Sequence, residues 1–129
     1  MTSSGTKWKI TKKCLDLILE SSKSTYPKEF GGLLRRDSEE KDMITELILL
    51  PGTISGDSHT LFKLHMMPID FSIVGTVHSH PSPSAQPSEA DLQLFRKNGK
   101  VHIIAASPYN ENSWKAYNHN GDEIELVII

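Results

Sequence analysis

The sequence has a single cysteine, Cys14, so the chain can form no internal disulfide and no site built from several thiolates. It has no block of lysine and arginine long enough to make a basic arm. Its formal net charge of -2 argues against a general grip on nucleic acid. Long apolar runs are missing as well: "ITELILL" is broken by Glu46, and no other stretch is long enough to span a bilayer. The opening residues, "MTSSGTKWKI", lack the apolar core of a signal peptide. There is no internal repeat. A length of 129 residues suits one domain, 1–129, with one modest core. These absences predict a soluble cytoplasmic domain with no nucleic-acid and no membrane partner.

What is present reads as alternating strands and helices. Residues 7–10 suit a short strand. "TKKCLDLILESSK" places Cys14, Leu15, Ile18 and Leu19 at helical spacing, with Thr11 as N-cap. "EFGGLLRRD" and "MITELILL" read as strands joined by the charged turn "DSEEKD". A Gly- and Ser-rich loop follows, then the ambiguous "LFKLHMMPID", then a strand of high β-propensity, "FSIVGTVHSH". "SEADLQLFRKNG" is a helix capped by Ser88 and ended by Asn98-Gly99. "VHIIAAS" is a strand. "SWKAYNHNGDEIELVII" reads as a hairpin turning at Asn120-Gly121 in a type I′ turn. Strands in runs with two separated helices predict a mixed α/β domain.

The stretch "VHSHPSPSAQPSEAD" carries the chemistry. Side chains alternate along a strand, so His78 and His80 share a face, roughly 7 Å apart along the chain. Pro81 keeps His80 out of helical geometry, so the strand runs to the second histidine. Ser88 and Asp91 stand three apart on the first turn of the following helix. If the loop folds that helix back over the strand end, Asp91 completes a His-His-Asp set. Such N and O donors suit one Zn²⁺ and leave a fourth tetrahedral position open, as in catalytic sites. Zinc lowers the pKa of its water to about 7, and a carboxylate outside the ligand set is needed to take the proton. Glu29 is the candidate: it stands where a turn at Pro27 enters an apolar strand. Gly31-Gly32, just after it, would let another segment approach closely.

Each part has a plainer reading. Two histidines can sit half-exposed on a strand end. Ser-x-x-Asp is close to a capping box, and "PSPSAQPS" alone reads as a flexible polar loop. Elsewhere, Cys14 lies on the apolar face of a helix and reads as core. The Ser, Asp and His of "SGDSH" are loop polarity, since a triad is recognised by spatial geometry. His102 reads as a structural histidine that alternation could also place at the site. His65 and His119 carry no pattern.

Taken together, "EFGGLL" from Glu29, "HSHP" from His78, seven residues, and then Ser88 and Asp91 resemble the signature of the JAMM (MPN+) metalloproteases. The resemblance implies a curved mixed sheet flanked by two main helices, similar to cytidine deaminases. It implies zinc bound by His78, His80 and Asp91, Glu29 as general acid/base, and Ser88 steadying the oxyanion. It implies hydrolysis of the bond after the C-terminal tail of a ubiquitin-like modifier. The alternatives are a JAMM peptidase that releases a single amino acid from a sulfur-carrier protein, and a non-catalytic MPN scaffold. Intact ligands oppose the scaffold. A deaminase would need a P-C-x-x-C pair. Leu61, Phe62 and Met66, in the longest irregular stretch, are expected to border the groove for the modifier's tail. The oligomeric state stays open, a homodimer included.

Overall fold

A computed structural model describes residues 7–49 and 70–129. The expected elements form, in the expected order. Strand β1 (Lys9–Ile10) leads into helix α1 (Lys12–Thr25), followed by β2 (Gly31–Arg36) and β3 (Met43–Leu49). Then come β4 (Ile73–His80), helix α2 (Glu89–Lys97), β5 (Val101–Ala106) and β6 (Trp114–Tyr117), with β7 (Glu123–Ile124) and β8 (Val127–Ile128) at the end. Thr11 caps α1 as its residue type suggests, its hydroxyl accepting from the Cys14 amide at 3.2 Å. No helix among the described residues is long and apolar enough to cross a membrane.

All eight strands among the described residues join one sheet in the order β7-β6-β5-β4-β2-β3-β1-β8. The β4–β5 pair and both pairs of β1 are parallel, and the rest are antiparallel. Strands β7 and β8 stand at opposite ends of this order, yet only residues 125 and 126 separate them. Three residue steps reach about 10 Å at most. The sheet must therefore curl until its edges nearly meet, and α1 lies inside the curl. Its Cys14, Leu15, Ile18 and Leu19 pack with Ile10, Phe30, Leu34, Ile44, Val77, Val101 and Ile103. Each such buried aliphatic or aromatic side chain contributes about 1.5–3 kcal/mol.

Alternation splits the central strands between two layers. Val101, Ile103 and Ala105 face α1, whereas Ile104 and Ala106 face α2 and pack on Phe95. The same rule aims Thr76, His78 and His80 of β4 toward α2. Close approach at the glycine pair is confirmed at Gly32, where an added Cβ would lie 2.7 Å from the Ile48 carbonyl oxygen.

The C-terminal hairpin is shorter than its sequence suggests. β6 and β7 pair antiparallel across residues 118–122, and the Asn118 side chain accepts from the Asn120 and Asp122 amides. Gly121 has a positive φ of 85° but Asn120 does not, so the turn is not type I′. The remaining residues leave β7 and pair with β1 on the far edge, burying Leu126 on the way. Alternating apolar residues specify a strand but not its neighbour.

Candidate metal centre

The end of β4 and the start of α2 bring the predicted ligands together. His78, His80 and Asp91 each offer a donor atom, all within 4.8 Å of one another. His78 Nε2 lies 3.1 Å from Asp91 Oδ1, His80 Nε2 lies 3.2 Å from Oδ2, and the two Nε2 atoms are 3.2 Å apart. Bonds of about 2.0–2.1 Å in a tetrahedral zinc site put neighbouring donors about 3.3 Å apart. The spacing therefore fits one zinc ion.

The protonation pattern fits as well. His80 Nδ1–H donates to the Ser84 carbonyl at 3.0 Å, and a carbonyl can only accept. In the neutral imidazole, Nε2 is then a lone pair aimed at carboxylate lone pairs, an arrangement that calls for a cation between them. The proton alternative shows the same demand. The Asp91 hydrogen bond, the Ser84 carbonyl and the charges of Asp91 and Glu29 raise the His80 pKa against the effect of burial. At Asp91, burial pushes the pKa up, but the hydrogen bonds from His78 and His80 outweigh it and hold the carboxyl well below the usual range. His78 is buried while His80 and Asp91 are half-buried, so the set opens to solvent on one side.

Local structure holds each ligand in place. Ser88 and Asp91 form the capping box: Ser88 Oγ accepts from the Asp91 amide at 3.1 Å, and Asp91 Oδ2 accepts from the Ser88 amide at 2.9 Å. The capping reading is thus correct, and it also fixes the carboxylate against the histidines. The Ser88 hydroxyl proton is left to donate outward. The proline-rich loop is pinned along its length. The Tyr117 hydroxyl donates to the Ala85 carbonyl at 2.7 Å, and the Ser107 amide to the Ser82 carbonyl at 3.0 Å.

Glu29 is half-buried and lies two residues before Gly31, which pairs with His78. Its charge acts on His80 across that pairing. Leu61, Phe62 and Met66, together with His65 and the "SGDSH" loop, lie outside the described residues. Cys14 is core, and burial pushes its thiol up to about 11. His102 is structural: Nε2–H donates to the Gly99 carbonyl at 3.1 Å, and Nδ1 accepts from the Thr76 hydroxyl at 2.7 Å.

Two residues with no sequence signal support the site. Ser79, between the histidines, is fully buried against Phe30. The Tyr109 hydroxyl donates to the His80 carbonyl at 2.9 Å, and Tyr109 itself has a left-handed backbone with φ 63°. A non-glycine residue in that region marks a local conformation imposed by its surroundings.

Comparisons with known proteins agree with this geometry. A family model for prokaryotic homologues of the JAB domain (Prok-JAB) matches residues 11–118. A protein of Haloferax volcanii described as "Probable metalloprotease" is 37% identical over 127 residues, covering 93% of this chain and 78% of its own. A solved JAB1/MPN domain protein from Archaeoglobus fulgidus is 44% identical, with a TM-score of 0.75 over 97% of this chain and 99% of that one. The structure reported as "JAMM: A Metalloprotease-like Zinc Site in the Proteasome and Signalosome" is 44% identical, with a TM-score of 0.74 over 96% and 99%. A protein from Desulfitobacterium hafniense, 22% identical with a TM-score of 0.60 over 94% and 92%, shares the fold.

Proposed function

The chain belongs to the family of prokaryotic JAB-domain homologues, the zinc metallopeptidases of JAMM type, and on that premise we propose that it cleaves the bond after the C-terminal tail of a ubiquitin-like modifier. His78, His80 and Asp91 hold one zinc. The observation that carries the reading is the convergence of two imidazole nitrogens, one of them the lone pair of His80 Nε2, and a carboxylate on one point that is open to solvent. When bound, zinc supplies Lewis acidity and acidifies a water at about neutral pH.

The chain's own residues supply the rest. Glu29 takes a proton from the attacking water and hands it to the leaving amine nitrogen. Ser88 donates its free hydroxyl proton to the oxygen on which charge develops, while its lone pairs stay engaged in the helix cap. The ligand set is open to solvent on one side, where the modifier's tail would enter as an extended chain. Strand β3 supports such an entry. Only Met43 and Ile44 of β3 pair with β1, so residues 45–49 present an outer edge with no strand partner among the described residues. A tail added to that edge gains main-chain hydrogen bonds with little demand on side chains. Glycines at its end let the backbone approach the ligands, so a Gly-Gly tail fits best.

The test is a panel of conjugates in which a Gly-Gly-tailed modifier is joined to different lysines of one carrier protein. The expected result is zinc-dependent release of intact modifier, with little preference among lysines. Removal of only one amino acid from the end of a sulfur carrier would replace this reading with that of a trimming peptidase. Tight binding of the conjugate without cleavage would make the domain a scaffold.

A further inference from the structure

We infer that Ser79 is a positioning residue that sets the place of Glu29 relative to the metal ligands. The inference rests on the reading of Glu29 as the proton carrier. Its ground is an irregular last rung in the β2–β4 ladder. Gly31 pairs with His78 and Gly32 with Val77, so the next opposed pair is Phe30 and Ser79. In a regular antiparallel ladder such a pair exchanges two main-chain bonds, each amide donating to the other's carbonyl. Here only one of these forms: the Ser79 amide donates to the Phe30 carbonyl at 2.9 Å. The Phe30 amide donates instead to the Ser79 hydroxyl oxygen at 2.8 Å. A side chain has taken the position of a backbone carbonyl.

That substitution acts on Glu29 directly. The Phe30 nitrogen belongs to the peptide joining Phe30 to Glu29, so the Ser79 rotamer orients the peptide plane that leaves the Glu29 Cα. Ser79 itself is flanked by His78 and His80. Alternation turns its side chain to the face opposite theirs, where it is fully buried beside Phe30. One short side chain thus spans the two halves of the catalytic set, which are 49 residues apart in sequence. Without the hydroxyl, the last rung can close to the regular form and draw the Glu29 segment toward β4. A misplacement of about 1 Å can cost about 10²-fold in rate.

The test compares Ser79→Ala, which removes the acceptor, with Ser79→Thr, which restores it. Ser79→Cys keeps the volume with a weaker acceptor and serves if the alanine variant folds poorly. Each is loaded with Co²⁺, and pseudocontact shifts of the Glu29 side chain are read by NMR. This readout needs no substrate. The Glu29 shifts should change in the alanine and cysteine variants and return in the threonine variant, while those of Leu94 and Val101 stay constant. Co²⁺ affinity should be unchanged throughout. With a modifier–lysine conjugate, kcat should fall by about 10²-fold at constant KM in Ser79→Ala. Unmoved Glu29 shifts, or a kcat in Ser79→Ala equal to that of Ser79→Thr, would overturn the inference. A wild-type protein that leaves the conjugate intact would instead count against the substrate reading, and the shifts would still decide the role of Ser79.

Discussion

Protonation of His102 should loosen the packing beneath helix α2, which carries Asp91. The ring is fully buried and stacks on Phe95 with centroids 4.4 Å apart. Both nitrogens are used by one neutral tautomer, Nε2 donating to Gly99 and Nδ1 accepting from Thr76. Burial lowers its pKa from the ordinary 6.5 to about 4, with lesser help from the charges of His78 and His119 and against the pull of the Gly99 and Phe95 carbonyls. Between those values the unfolded chain binds the proton and the folded chain does not. The contribution to stability is therefore complete above pH 6.5, is lost as pH falls through the window, and levels off below about 4. At 1.36 kcal/mol per pH unit, the gap from 6.5 to about 4 corresponds to about 3 kcal/mol. Urea denaturation of zinc-free protein would measure this, with wild type and His102→Gln compared from neutral pH down to pH 4. Other groups titrate in both proteins, so the difference isolates His102. The advantage of wild type over the variant should shrink by about 3 kcal/mol. A pH-independent difference, or an imidazole NMR midpoint near 6.5 in the folded protein, would refute the reasoning.

Three substitutions probe the site itself. Glu29→Gln should abolish hydrolysis and keep zinc, because Glu29 is outside the ligand set; near-normal turnover would dismiss it as the proton carrier. Ser88→Ala should lower stability by about 1 kcal/mol through the lost cap. Its rate loss should be no more than about 10²–10³-fold, smaller than that of Glu29→Gln; a folded variant with unchanged kcat would limit Ser88 to capping. Tyr109→Phe keeps the ring and removes only the bond to the His80 carbonyl. Zinc affinity should fall by about tenfold in a chelator competition, the lower end of what partners of metal ligands cost. Unchanged affinity would leave Tyr109 a packing residue.

Much of this was legible in the sequence because it is local. Alternation put His78 and His80 on one face, Pro81 ended the strand, and the Ser88–Asp91 cap placed the carboxylate at a helix start. The helical spacing from Cys14 to Leu19 gave α1 and its buried face. What escaped depends on partners distant in the chain. Ser79 looks like any strand serine until Phe30 is laid beside it. Tyr109 gains meaning only when the parallel β4–β5 pair brings the loop after β5 beside the end of β4. The C-terminal run divides between two edges of the sheet, a consequence of the curl that no local pattern encodes. The expected groove residues Leu61, Phe62 and Met66 lie outside the described residues and stay an expectation.

The central claim is tested most directly by a crystal of protein purified without chelator and supplied with zinc, with diffraction recorded on both sides of the zinc absorption edge. One anomalous peak per chain is predicted, within about 2.0–2.2 Å of His78 Nε2, His80 Nε2 and an Asp91 carboxylate oxygen, with its fourth position facing solvent. The absence of any peak there, or a single peak held by other residues, would contradict the account.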